Sequence, residues 1–302
     1  MDNSNISVHL GQTSQYKSTY DPTLLVREPR QNNRTYLGIK DDDLPFVGSD
    51  TWNAYECSFL LDSGLPVTGV LKIVYPCSSK YIVESKSIKL YLNSFNMQKS
   101  GKTRHTAISS FEHKVSVDLS ELLETDVNVK FLMAGECCEM NGPTDEWGLE
   151  TFVCLEDIVG NIPDVDVYEE SPDLLEGEIL DETIEQWYRS ELLKSNCRVT
   201  SQPDWGDVFI YYKGKCKIDE EALLRYIVSF RDECHFHEEI CECIYQRLWD
   251  TFEPEELSVM CLYARRGGID INPIRCSSQE VYDEFGGELR DVNTSHVKTA
   301  KQ

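Results

Sequence analysis

Two stretches of this 302-residue chain carry the same order of patterns, and that repetition limits the fold more than any single motif. In the first, Leu71-Lys72-Ile73-Val74-Tyr75 reads as a strand ending at Pro76, and Tyr81-Ile82-Val83 as another. The period then changes. Ile88, Tyr91, Leu92 and Phe95 fall at i, i+3, i+4 and i+7, one face of a helix starting near Ser85, and Val127-Asn128-Val129-Lys130-Phe131 alternates like a strand again. In the second, Val208-Phe209-Ile210-Tyr211-Tyr212 reads as a strand ending at Gly214. Leu223, Leu224, Ile227 and Phe230 make a helix face, and Phe236, Ile240, Ile244 and Leu248 make another at i+4 spacing. Leu257, Val259, Cys261 and Tyr263 then alternate up to Arg265-Arg266-Gly267-Gly268, and Ile269 and Ile271 alternate away, a hairpin signal. The segments 90–95 and 225–230 share Tyr, Ser and Phe in register. Together these patterns predict a duplicated α+β module.

Between Glu156 and Glu191 stand thirteen acids and one Arg, with Pro163 and Pro172 among them, which reads as a solvated connector. The predicted division is an N-terminal arm over 1–36, a module over 37–155, an acidic linker over 156–188 and a second module over 189–302. A net charge of −24 would repel a polyphosphate backbone, so direct binding of nucleic acid is not expected. No run approaches the 18 or so apolar residues of a membrane span, and the N-terminus lacks a basic region followed by an apolar one. A soluble, cytoplasmic protein is expected, with its twelve cysteines as free thiols.

Several familiar chemistries fail on spacing. Ser100-Gly101-Lys102-Thr103 ends like a phosphate-binding loop, but the first Gly that loop needs would be Asn96, and the segment reads as following a helix rather than a strand. No Gly-x-Gly-x-x-Gly opens a helix. Cys234, His235, His237, Cys241 and Cys243 crowd ten residues with zinc-like chemistry. On one helix, however, His235 and His237 would point about 200° apart, and only His237 and Cys241 would share a face. Zinc binding and simple packing of the thiols both remain open. Two further segments are poorly explained by packing. Glu84-Ser85-Lys86-Ser87-Ile88-Lys89 is either an anion site at a helix N-terminus or a cap with solvated lysines. Cys197, followed seven residues later by Asp204 in Gln202-Pro203-Asp204-Trp205-Gly206, sits on no apolar face and reads as an exposed loop thiol, a reactive one or an idle one. Each segment occurs in one half only, so a site using both would lie between the halves.

These blocks resemble the NADPH-dependent 7-cyano-7-deazaguanine reductases, nitrile reductases of queuosine biosynthesis, in their long two-module form. The resemblance runs from Tyr20-Asp21-Pro22 through Glu84–Tyr91, Leu193–Cys197, Gln202–Gly206, Ser229-Phe230-Arg231 with Phe236-His237-Glu238, and Arg265–Pro273. It implies tandem tunnelling-fold (T-fold) modules, antiparallel sheets backed by helices, assembled as a homodimer or higher oligomer. It also implies a four-electron reduction of the nitrile to 7-aminomethyl-7-deazaguanine by two NADPH, with no metal. Cys197 would be the nucleophile that forms a covalent thioimide, and Asp204 the proton donor. Val83, Glu84, Ser85, His237 and Glu238 would bind the base, while Ser85, Lys86, Arg266 and Gly267 would meet NADPH. The chain departs from that pattern at His235, where an acid is usual, at Glu233, where a His is common, and in its cysteine-rich surroundings. A zinc hydrolase like the GTP cyclohydrolases, and a purine-binding module without activity, are the competing expectations.

Overall fold

The computed structural model describes residues 17–133, 151–160, 165–294 and 298–302. In the first half, β1 (Arg27–Pro29) precedes α1 (Gln31–Leu37), and two long strands follow, β2 (Val47–Leu61) and β3 (Pro66–Pro76). Next come β4 (Tyr81–Val83), α2 (Ser85–Asn93), β5 (Lys99–Gly101), α3 (Arg104–Leu123) and β6 (Asn128–Met133). Short β7 (Val153–Cys154) and α4 (Leu155–Val159) lead into the second half. There β8 (Gly177–Ser190), β9 (Lys194–Cys197), β10 (Pro203–Ile218), α5 (Glu220–Ser229), β11 (Cys234–His235), α6 (His237–Phe252), β12 (Glu256–Tyr263) and β13 (Ile269–Cys276) follow in turn. Two small helices, α7 (Gln279–Phe285) and α8 (Gly287–Arg290), complete the order. Each half thus runs two long strands, two helices, then strand, which is the tandem α+β arrangement the repetition predicts.

The halves form one sheet. Its path is β11-β9-β10-β12-β13-β2-β3-β6, and the seam is the antiparallel pair of β13 with β2, in which Ile271 faces Trp52. Both seam strands are covered on both faces, so their alternation separates two interiors rather than core from solvent. Trp52, Ile269 and Ile271 join the apolar core under α2 and α3, while Asn53, Asp270 and Asn272 point the other way and bond one another. A second core lies under α5 and α6, built from Leu223, Ile227, Ile240, Ile244 and Leu248 against Val208, Ile210 and Val259.

Ions are buried where the halves meet. Arg30 and Arg275 share the Asp50 carboxylate, Arg275 from 2.9 Å. Arg34 and Arg275 hold Glu242 Oε1 from 2.8 Å each, and Arg30 lies 3.5 Å from the same oxygen. All five side chains are at most 2% exposed. Burial alone would raise the Glu242 pKa, but Arg275, Arg34 and Arg30 outweigh it and bring the carboxyl down to about 2. Its stabilising contribution is in place above the ordinary value of 4.5 and is lost as pH falls toward that lower value.

Four expectations change. The arm is not an arm after residue 16: β1 pairs with β4, and Arg30 and Arg34 enter the buried ion cluster, a burial of charge that apolar periodicity does not signal. Residues 1–16 lie outside the described part. The acidic connector ends at Glu176, because Gly177–Ser190 is strand β8 paired along β10; its acids occupy exposed positions while Gln186, Tyr188 and Ser190 turn inward. Strand β10 passes Gly214 through a bulge to Ile218 instead of stopping. The Ser100–Thr103 segment does not simply follow helix α2: its first two residues lie in strand β5, and Thr103 caps α3. That helix carries a narrow stripe of Ala107, Phe111, Val115, Leu119 and Leu123 at strict i+4 spacing.

Glu242→Gln leaves three buried guanidiniums short of an anion, so we expect a loss of about 3–5 kcal/mol in urea unfolding. Glu124→Gln, in an exposed pair with Arg27, should cost less than about 1 kcal/mol. A Glu242→Gln protein as stable as the wild type would contradict this role for the cluster.

Candidate active site

A cavity of about 290 Å³ opens between the two halves, and its wall is shared by the start of α2, the turn after β9, the start of α6 and the β12–β13 hairpin. Every residue singled out by the resemblance lines it: Val83, Glu84, Ser85 and Lys86 from the first half, and Cys197, Asp204, His237, Glu238, Arg266 and Gly267 from the second.

The α2 side is built by a cap. Glu84 is the N-cap residue, accepting from the N–H groups of Lys86 at 2.8 Å and Ser87 at 2.7 Å. One carboxylate oxygen goes to each donor, so the group is locked in orientation. Ser87 secures the same turn, donating to Glu84 O and accepting from Val26 N. The two readings of this segment are therefore compatible, a cap and an oriented carboxylate at once.

Cys197 closes β9, where it is half-buried rather than in an exposed loop. Its N–H donates to Gln202 O at 2.8 Å, and its carbonyl accepts from Ser201, whose φ of 53° turns the chain back into β10. Asp204 follows on β10 with its side chain 3% exposed. One carboxylate oxygen is held by Arg266, and the other lies 3.5 Å from Nε2 of His237. Burial pushes the Asp204 pKa up, but His237 and then Arg266 outweigh it, and the net shift is downward. Arg266 is likewise raised, with burial opposing and Asp204 and the Cys197 sulfur favouring its charge.

At the start of α6, Glu239 accepts from Phe236 N at 3.0 Å and pairs through its other oxygen with Arg198 at 2.7 Å. Beside it, Glu238 is 1% exposed, and its Oε1 has no hydrogen-bond partner. Burial and then Asp50 raise its pKa well above the carboxylate range against the pull of Arg30 and Arg275, so the group stands neutral at the cavity wall. The hairpin is tied to the opposite half, since Lys89 donates to Gly267 O at 2.6 Å. Gly267 and Gly268 have φ of 60° and 79°, a turn that favours glycine at both positions.

The departures in sequence combine into a pair. His235 lies on β11, not on the helix, and its Nε2 is 3.0 Å from Glu233. Burial would lower its pKa, but Glu233 and Glu239 raise it to about 9. The cysteine cluster is dispersed: Cys241 is buried with its Sγ toward the carbonyls of Val259 and Pro273, and Cys234 is exposed. Among the described residues no three His, Cys, Asp or Glu side chains gather as a metal site. Trp52, Phe236, Ile269, Ile271, Thr200 and Lys89 also line the cavity and were not anticipated individually. Their positions on the seam strands and beside flagged residues were the available signal.

Residues 16–131 match the family model described as nitrile reductase, 7-cyano-7-deazaguanine-reductase N-term, and residues 203–282 match that of QueF-like protein. An NADPH-dependent 7-cyano-7-deazaguanine reductase of Colwellia psychrerythraea is 39% identical over 274 residues, covering 90% of this chain and 92% of that protein. Proteins of the same name from two strains of Rickettsia bellii are each 43% identical over 269 residues, covering 88% of this chain and 91% of theirs. The crystal structure of the archaeosine synthase QueF-Like in the apo form shares 16% identity at a TM-score of 0.28, covering 31% of this chain and 91% of that one. Matched along nine-tenths of its length, the chain belongs to the NADPH-dependent 7-cyano-7-deazaguanine reductases, oxidoreductases that act on a nitrile.

Proposed function

We propose that this chain reduces the nitrile of 7-cyano-7-deazaguanine to the aminomethyl group through a covalent thioimide on Cys197, as a step of queuosine biosynthesis. The observation that carries the reading is the convergence of a thiol, a buried ion-paired carboxylate and an unpartnered buried carboxyl oxygen on one cavity. That oxygen is Glu238 Oε1, and leaving it unpaired costs free energy that a guanine-like edge would offset. Glu84, fixed by its cap, accepts from the ring and exocyclic N–H groups of the base. Glu238, being neutral, both donates and accepts. Val83 and Ser85 complete that wall.

Asp204 is ionised in the free enzyme, which suits it first as a base. It takes the Cys197 S–H proton as sulfur bonds to the nitrile carbon, and returns that proton to nitrogen, so S–H adds across C≡N. NADPH, when bound, supplies a hydride to that carbon twice. Asp204, reprotonated from solvent before each reduction, delivers the accompanying proton to nitrogen; after the first, Cys197 leaves with the C–S electron pair and takes up a proton from nitrogen, freeing an imine for the second. Lys86, Arg266 and the backbone at Ser85 and Gly267 suit the phosphates of the cofactor in charge and position. The cavity of about 290 Å³ favours a free base over a polynucleotide. We read each half as one tunnelling-fold unit of a cytoplasmic homodimer, since β6 and β11 end the sheet with edges that a partner can pair.

Two NADPH should be oxidised per amine formed, and Cys197→Ala should abolish turnover while still binding the base in calorimetry. A ratio of one, or an active Cys197→Ala protein, would sink the reading. Removing Arg266 strips a cation from Asp204 and raises its pKa. In Arg266→Ala the acidic limb of adduct formation, followed without NADPH, should therefore move up by about one pH unit. An unmoved limb would take Asp204 out of the base role.

A further inference from the structure

Next to the cavity-lining residues Asp204 and His237 lies a support that the binding and catalytic roles above do not use. Tyr263, at the end of β12, stands directly across from Gly206 of β10. Its ring lies over that glycine so closely that a Cβ on residue 206 would meet ring carbons at 3.0 to 3.3 Å. The same ring carries the imidazole of His237, with centroids 4.0 Å apart and planes inclined by 37°. Asp204 lies two residues before Gly206 on the same strand and hence on the same face, and it is Asp204 that His237 Nε2 approaches. Tyr263 is 0% exposed, so the ring has no freedom to leave this place.

We infer that Gly206 and Tyr263 are positioning residues: the bare glycine seats the tyrosine ring, and the ring holds His237 in the orientation that faces Asp204 and the bound base. The spacing Asp-x-Gly within Pro203–Gly206 then has a physical reason. The acid must face the cavity, and the residue beside it on that face must leave space for an aromatic ring, a known way for a cross-strand aromatic to cover a glycine. A leucine in place of Tyr263 would fill volume without offering a flat surface, leaving the imidazole free to rotate.

This inference rests on His237 binding the base, and its test separates the two. In the free enzyme, ring protons of His237 should show an upfield ring-current shift that persists in Tyr263→Phe and is lost in Tyr263→Leu. Base binding by calorimetry should be nearly unchanged in Tyr263→Phe and weakened about tenfold in Tyr263→Leu, the scale of one aromatic contact. Gly206→Ala, which pushes on the ring, should weaken binding similarly. In a His237→Ala background, Tyr263→Leu should have no further effect. An unshifted His237 signal in the wild type, normal binding by Tyr263→Leu, or the same tenfold loss with His237 already removed would overturn the positioning role. Wild-type protein that fails to bind 7-cyano-7-deazaguanine would instead sink the functional reading, while the ring-current shift still decides the stacking.

Discussion

The buried cluster of Arg30, Arg34 and Arg275 with Asp50 and Glu242 is the interaction on which the rest of the molecule depends. It joins α1, β2, α6 and β13, elements from both halves, through charges that have no access to water. Isolated, each of these ions would be too costly to bury; together, with Asp41 on Arg34, three cations meet three anions. Directional hydrogen bonds then fix how α6 lies on the sheet more tightly than apolar contact alone would. Because Glu238 sits one turn before Glu242, the start of α6 is set by the same cluster. Its cations are already balanced, which is why Glu238 stays neutral at the cavity wall.

Dividing the site between halves has a chemical use. A carboxylate that receives a base, a thiol that attacks it and a cation that meets a phosphate need different surroundings. The α2 start offers a capped, oriented Glu84. The second half offers a charge-balanced pocket around Asp204 and Cys197. The seam of β13 with β2, supplying Trp52, Ile269 and Ile271, is the apolar floor between them. The hairpin after β12 then reaches back to Lys89, so the two sides are held at one spacing.

Much of this was legible in the chain. The change of period at Ser85, the alternation around Gly267-Gly268 and the duplication across the acidic stretch all report local geometry, and local geometry follows from nearest-neighbour sequence. The arm and the connector were misread for one reason. Arg34 is buried against Glu242, 208 residues away, and Arg30 against Asp50 and the same Glu242, while β8 is acidic because only part of one face is covered. Patterns of hydrophobicity carry no record of either. Helix α3 carries a stripe at the same i+4 spacing that marks α6, so it too was legible in the chain. Among site residues, the motifs marked Cys197, Asp204 and Glu84, but the neutrality of Glu238 depends on tertiary charge balance and no spacing announces it.

The central claim is that Cys197 bonds to the substrate before any reduction occurs. The most direct measurement is the intact mass of the protein incubated with 7-cyano-7-deazaguanine in the absence of NADPH. The account predicts a gain of one substrate mass, absent from Cys197→Ala and discharged when NADPH is added. A mass that stays unchanged while the same preparation reduces the nitrile with NADPH would contradict it.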